Sequence, residues 1–144
     1  MTSNSNKPRF IGYWITTILL CFGMFSGAIA QLVRFQPNVD GMIRLGYPLY
    51  MLSILAPWKI LGVIVLLMPG QPLVKEWAYA GFFFLMSGAV VSHIASGDTF
   101  FQWIAPLIFT MLTVVSWYLR PPSRRLFIAP SPSLKHGKSF SYQQ

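Results

Sequence analysis

The stretch SILAPWKILGVIVLLMPG, residues 53–70, decides the fold. It is apolar enough to cross a bilayer, yet Lys59 sits near its middle, where no water hydrates an ammonium. A charge at the centre of a spanning helix costs about 2.5 to 3.5 kcal/mol on the insertion scale, and each Leu, Ile or Val returns roughly 0.3 to 0.6. Eleven residues of those three types lie between Leu49 and Leu67, so roughly 3 to 6 kcal/mol offsets the lysine. The segment inserts with its lysine aboard. Ala56 and Gly62, three residues to either side, keep that face narrow, which suits contact with another helix rather than with lipid.

Working outward, the chain has three more apolar runs of similar length, so spans are expected at about 10–35, 47–68, 74–95 and 100–119. Each is long enough for the roughly 20 helical residues that cross a hydrocarbon core. Between them, PNVDGMIRLG, PGQPLVK and SGDT are short and rich in Pro, Gly and Asp, and read as turns. Only 10% of the 144 residues are charged, well under the share of about 25% in soluble domains. The expected fold is therefore all-α, an up-down four-helix transmembrane bundle, with no room for a second domain.

The charge balance is 11 Lys plus Arg against 3 Asp plus Glu, and its distribution gives an orientation. Eight of the cations (Lys7, Arg9, Lys75, Arg120, Arg124, Arg125, Lys135 and Lys138) fall on one side of the spans, against Arg34 and Arg44 on the other. The positive-inside rule then places both termini in the cytoplasm. Residues 1–9 read as a short cytoplasmic tail. Residues 120–144, basic and rich in Pro and Ser, read as a disordered cytoplasmic tail whose arginines meet lipid headgroups. That tail offers no folded basic face for nucleic acid. Lys7 and Arg9 before an apolar run ending in Ala28-Ile29-Ala30 have a signal-peptide look, but the run exceeds the usual core of about 7 to 15 residues. The first span is therefore expected to be retained, and intact mass checks it.

Small residues mark where helices touch. Gly23 and Gly27 have GxxxG spacing, with Gln31 four residues on, and Gly88, Ser92 and Ser96 repeat it in the third span. Four of the five tryptophans fall near span ends, as aromatic belts do, and Trp58 does not. Pro57 and Pro106 lie inside spans and free the carbonyls of Ser53 and Gln102.

Two groups of residues are candidates for binding chemistry. Lys59 falls about level with Phe84 and Leu85 of the third span, which brings Ser87 and the Ser53 carbonyl within reach; a ligand-contacting or proton-handling lysine and a purely structural one are both open. His93, with Asp98 five residues on and Gln31, Arg34, Tyr47 and Gln102 at similar depth, sketches a shallow polar pocket; an ordinary interfacial histidine is the alternative. A single cysteine, Cys21, excludes dithiol exchange within one chain, and no Cys, His, Asp and Glu set has metal-ligand spacing. No catalytic residues are assigned, and a self-contained enzyme is not expected.

The central half carries a resemblance. LGYPLY, KILG at residues 59–62, PGQP and KEWAYAGF, followed by GAVVSH and GD, together resemble the DoxX-like family of small four-span bacterial membrane proteins. The resemblance implies a location in the bacterial inner membrane. It also implies a supporting role in membrane redox complexes linked to quinone or thiol chemistry, with quinone as the candidate cofactor and complex subunits as partners beside the lipid bilayer. Positions matching the family's polar set include Tyr47, Lys59, Lys75, Glu76, His93 and Asp98. The family often has Asp where this chain has Leu85, so no ion pair for Lys59 is implied. A small-solute or ion carrier, and an assembly protein without a ligand, stand as the other readings.

Overall fold

The computed structural model describes residues 6–126. Four long helices, α1 (Asn6–Leu32), α3 (Tyr50–Leu67), α4 (Pro72–Ala95) and α5 (Phe100–Leu119), are each long and apolar enough to cross a membrane. A short helix, α2 (Gln36–Arg44), joins the first two. With an even number of spans, the start of α1 and the end of α5 lie at one end of the bundle, here called the terminal end; the other is the α2 end. Neighbours in the ring run α1, α3, α4, α5 and back to α1, and every neighbouring pair is antiparallel. This is the expected up-down bundle.

The spans end where the backbone must turn. Arg34 takes a left-handed φ of 51° after α1, and Gly46 a φ of 76° before α3. Pro72, whose missing N–H costs nothing in a first turn, opens α4 two residues ahead of the expected start. The largest departure is α2, which the sequence reads as a turn because Asp40 and Gly41 are turn residues. Pro37 pre-sets the first helical turn, and the Gln36 amide donates to Asp40 Oδ1 at 2.8 Å one turn along, which outweighs them.

Without a hydrophobic force between helices in lipid, packing rests on shape. The core collects Leu20, Cys21 and Met24 of α1, Val63 and Leu66 of α3, and Tyr79, Phe82 and Met86 of α4. Two glycines receive aromatic rings. A Cβ on Gly62 would come within 2.6 Å of the Phe82 ring, and one on Gly23 within 2.1 Å of the Phe109 ring. At Gly88 nothing lies within 4 Å, so the Gly88-Ser92 row does not pack against a neighbouring helix as its spacing suggests. It lines a groove instead.

Candidate functional site

Lys59 lies on the α3 face that also buries Leu52, Ala56, Gly62 and Leu66. It is 8% exposed, and its Nζ reaches across to α1, 3.9 Å from where a Cβ on Gly27 would stand. Among the described residues it has no hydrogen-bond or ion-pair partner. The expected contact with Ser87 does not form: Ser87 Oγ donates to its own helix, to the Phe83 carbonyl at 2.7 Å. A short hydroxyl side chain in a helix satisfies itself this way more readily than it spans to another helix. One turn beyond Gly27, Gln31 is also 8% exposed, and its Oε1 is buried with no partner among the described residues. Among those residues Lys59 and Gln31 thus leave a donor on α3 and an acceptor on α1 without partners.

The α3–α4 side of the ring is open. A groove of about 440 Å³ is lined by Trp58, Lys59 and Gly62 of α3 and by Trp77, Phe82 and Leu85 of α4. A second, of about 570 Å³, continues toward the α2 end past Tyr47, Gly88 and Ser92, and Leu55 and Leu85 line both. Together they form one apolar cleft along the α3–α4 seam, with Lys59 on its wall. Trp58, out of place in an aromatic belt, belongs to this cleft.

At the α2 end, Asp98 gathers two partners, one histidine and one arginine. His93 Nδ1 lies 2.6 Å from Asp98 Oδ2, and Arg44 Nε lies 3.2 Å from Asp98 Oδ1. Tyr47 OH and Ser92 Oγ share a hydrogen bond of 2.7 Å nearby in sequence to His93. The pocket sketched from the sequence is thus only partly assembled. Gln102 is occupied in capping α5, accepting from Thr99 N at 2.7 Å, Arg34 is exposed, and Gln31 faces inward. Arg44 was missed because a cation in a connection reads first as a topology signal, and the helix α2 whose last turn places it reads as a turn in the sequence.

The terminal end holds the densest polar network; in the sequence its members Lys75 and Glu76 stand out only through the family resemblance, and the rest of the network does not. Lys75, 0% exposed, donates to the carbonyls of Val65 at 2.5 Å and of Met68, at the open C-terminus of α3. Arg120, 2% exposed, donates to Glu76 Oε1 at 2.5 Å, and Trp117 Nε1 donates to Glu76 Oε2 at 2.7 Å. Arg124 donates to the Leu66 carbonyl at 3.0 Å and lies 4.8 Å over the Trp14 ring. Beneath them, Thr17, Ser116 and Tyr79 form a chain of hydroxyls at 2.7 and 2.8 Å. Arg120 and Arg124 were expected to meet headgroups in a disordered tail. Instead they close the bundle, because cations at helix C-terminal carbonyls and a carboxylate in reach outweigh hydration. The expected tail beyond residue 126 lies outside the described residues.

Among the described residues no three His, Cys, Asp or Glu side chains stand together as metal ligands. Searches of curated proteins and of solved structures return no match. The model of the DoxX-like family matches residues 15–116, from within α1 almost to the end of α5 and across Gln31, Lys59 and the cleft, and the chain therefore belongs to the DoxX-like family.

Proposed function

We propose that the protein is a non-catalytic membrane subunit of a quinone- or thiol-linked redox complex, and that a quinone occupies the α3–α4 cleft. The observation that carries the reading is Lys59, a buried side chain that has no hydrogen-bond partner among the described residues and lines an apolar groove. The residues suit such a molecule: an isoprenoid tail is as apolar as the cleft, Trp58 and Trp77 offer flat faces for a ring, and the lysine supplies an N–H for a ring oxygen. The ring would supply the electron chemistry, while this chain's residues bind and orient it. In this proposal the bundle lies in the bacterial inner membrane with its terminal end cytoplasmic.

The test is a titration of detergent-purified protein with a decyl benzoquinone. Saturable binding that weakens at least tenfold in Lys59→Met is expected, with the variant's helical content unchanged. Absence of saturable binding to the native protein would rule the reading out.

A further inference from the structure

We infer that Arg9 and Arg125 form a binding site for the phosphate of an anionic phospholipid, where α1 meets α5 at the terminal end. The chain has three acidic residues in all, Asp40, Glu76 and Asp98. Asp40 in α2 and Asp98 just before α5 lie at the α2 end, and Glu76 is held by Arg120 and Trp117. Lys75 and Arg124 turn to the carbonyls that end α3. Among the described residues, neither Arg9 nor Arg125 pairs with a carboxylate.

These two arginines are brought together all the same. Arg9, exposed on the first turn of α1, donates from Nη2 to the Tyr118 carbonyl at 3.0 Å, and its guanidinium lies 5.6 Å over the Tyr118 ring. Arg125 donates from Nη2 to the same carbonyl at 2.8 Å, and from Nε to the Arg120 carbonyl at 2.8 Å. Two nitrogens that close to one oxygen are less than about 6 Å apart. The open carbonyls and dipole at the C-terminus of α5 attract both cations, but one neutral oxygen does not balance two like charges. Each guanidinium keeps N–H groups beyond those used here. A phosphate, whose separate oxygens each accept such an N–H at about 2.8 Å, bridges the pair and turns its repulsion into two attractions.

The depth selects a lipid as the carrier of that phosphate. Tyr118 is one residue from the end of a span, at headgroup level, and both hydrogen bonds to its carbonyl are exposed. Val115 and Met111 follow Tyr118 along one face of α5, and all three are exposed, which gives an acyl chain an apolar strip below the arginines. A zwitterionic lipid brings its own cation to a place that already has two. An anionic one does not.

The test is native mass spectrometry of the full chain in detergent micelles, with dioleoyl phosphatidylglycerol and dioleoyl phosphatidylcholine as probes. The expected result is one phosphatidylglycerol adduct that forms at much lower lipid concentration than the phosphatidylcholine adduct, and that excess inorganic phosphate does not displace. Arg9→Gln with Arg125→Gln should weaken phosphatidylglycerol binding roughly thirtyfold, as expected for two interfacial cations. Lys7→Gln with Arg34→Gln removes the same charge from two exposed positions and should leave that binding nearly unchanged. Arg9→Gln alone alters one exposed side chain and should show a partial loss, so the comparison survives if the double variant misfolds. Equal affinity of the native protein for the two lipids, equal losses in the two double variants, or displacement by inorganic phosphate would overturn the inference.

Discussion

Single positions in this bundle are decided by what faces them across a helix contact, and two glycines four residues apart show it. Gly23 accepts the Phe109 ring, whereas Gly27 faces only the end of the Lys59 side chain. Gly23→Ala should therefore destabilise the bundle by about 1 to 3 kcal/mol, since the ring must move. Gly27→Ala should cost little, because its Cβ finds ordinary contact at 3.9 Å. Unfolding midpoints in mixed detergent compare the two, and restoration of Gly23→Ala by Phe109→Leu would identify the ring as the cause. Equal midpoints would contradict the contact geometry. The GxxxG spacing was legible in the sequence, but its periodicity gives a face and not the partner that fills it. Lys59 illustrates the same division: Ala56 and Gly62 correctly turned it into the bundle, while Ser87, chosen by depth alone, had a nearer acceptor on its own helix.

At the scale of elements, the terminal ends of α3, α4 and α5 are joined by charge. Lys75 caps the open carbonyls of α3 from the first turn of α4, and Arg120 joins α5 to Glu76. Lys75→Met should remove charge-assisted hydrogen bonds worth about 1.5 to 3 kcal/mol and lower the unfolding midpoint, with no change in helical content. A midpoint equal to that of the native protein would show that those carbonyls find other partners. The sequence made Lys75, Arg120 and Arg124 look like topology markers because one charge near a span end satisfies that rule wherever it points. Only the fold reveals that they turn inward. A finer reading was available: Lys75 and Tyr79 share a helical face, as do Ser116 and Arg120, and such polar pairs inside or beside apolar spans mark bundle interiors. Helix α2 was concealed for the opposite reason, since its turn-forming residues are overruled by a local proline and one side-chain bond.

For the molecule as a whole, four spans and their antiparallel ring were readable from apolar run lengths and short connections, because bilayer thickness leaves few alternatives. The open α3–α4 seam was not, since it depends on which neighbours pack closely. The cation count also predicts a topology. Asn38→Cys in α2 should react with a membrane-impermeant maleimide from outside intact cells, and Gln71→Cys only after permeabilisation. The reverse pattern would invert the orientation. If a quinone occupies the cleft beside Lys59 as proposed, native mass spectrometry of protein extracted with its own lipid should show a quinone-mass adduct on the native chain that is lost from folded Lys59→Met; an adduct no stronger than the lipid background, or one unchanged in that variant, would rule the quinone out.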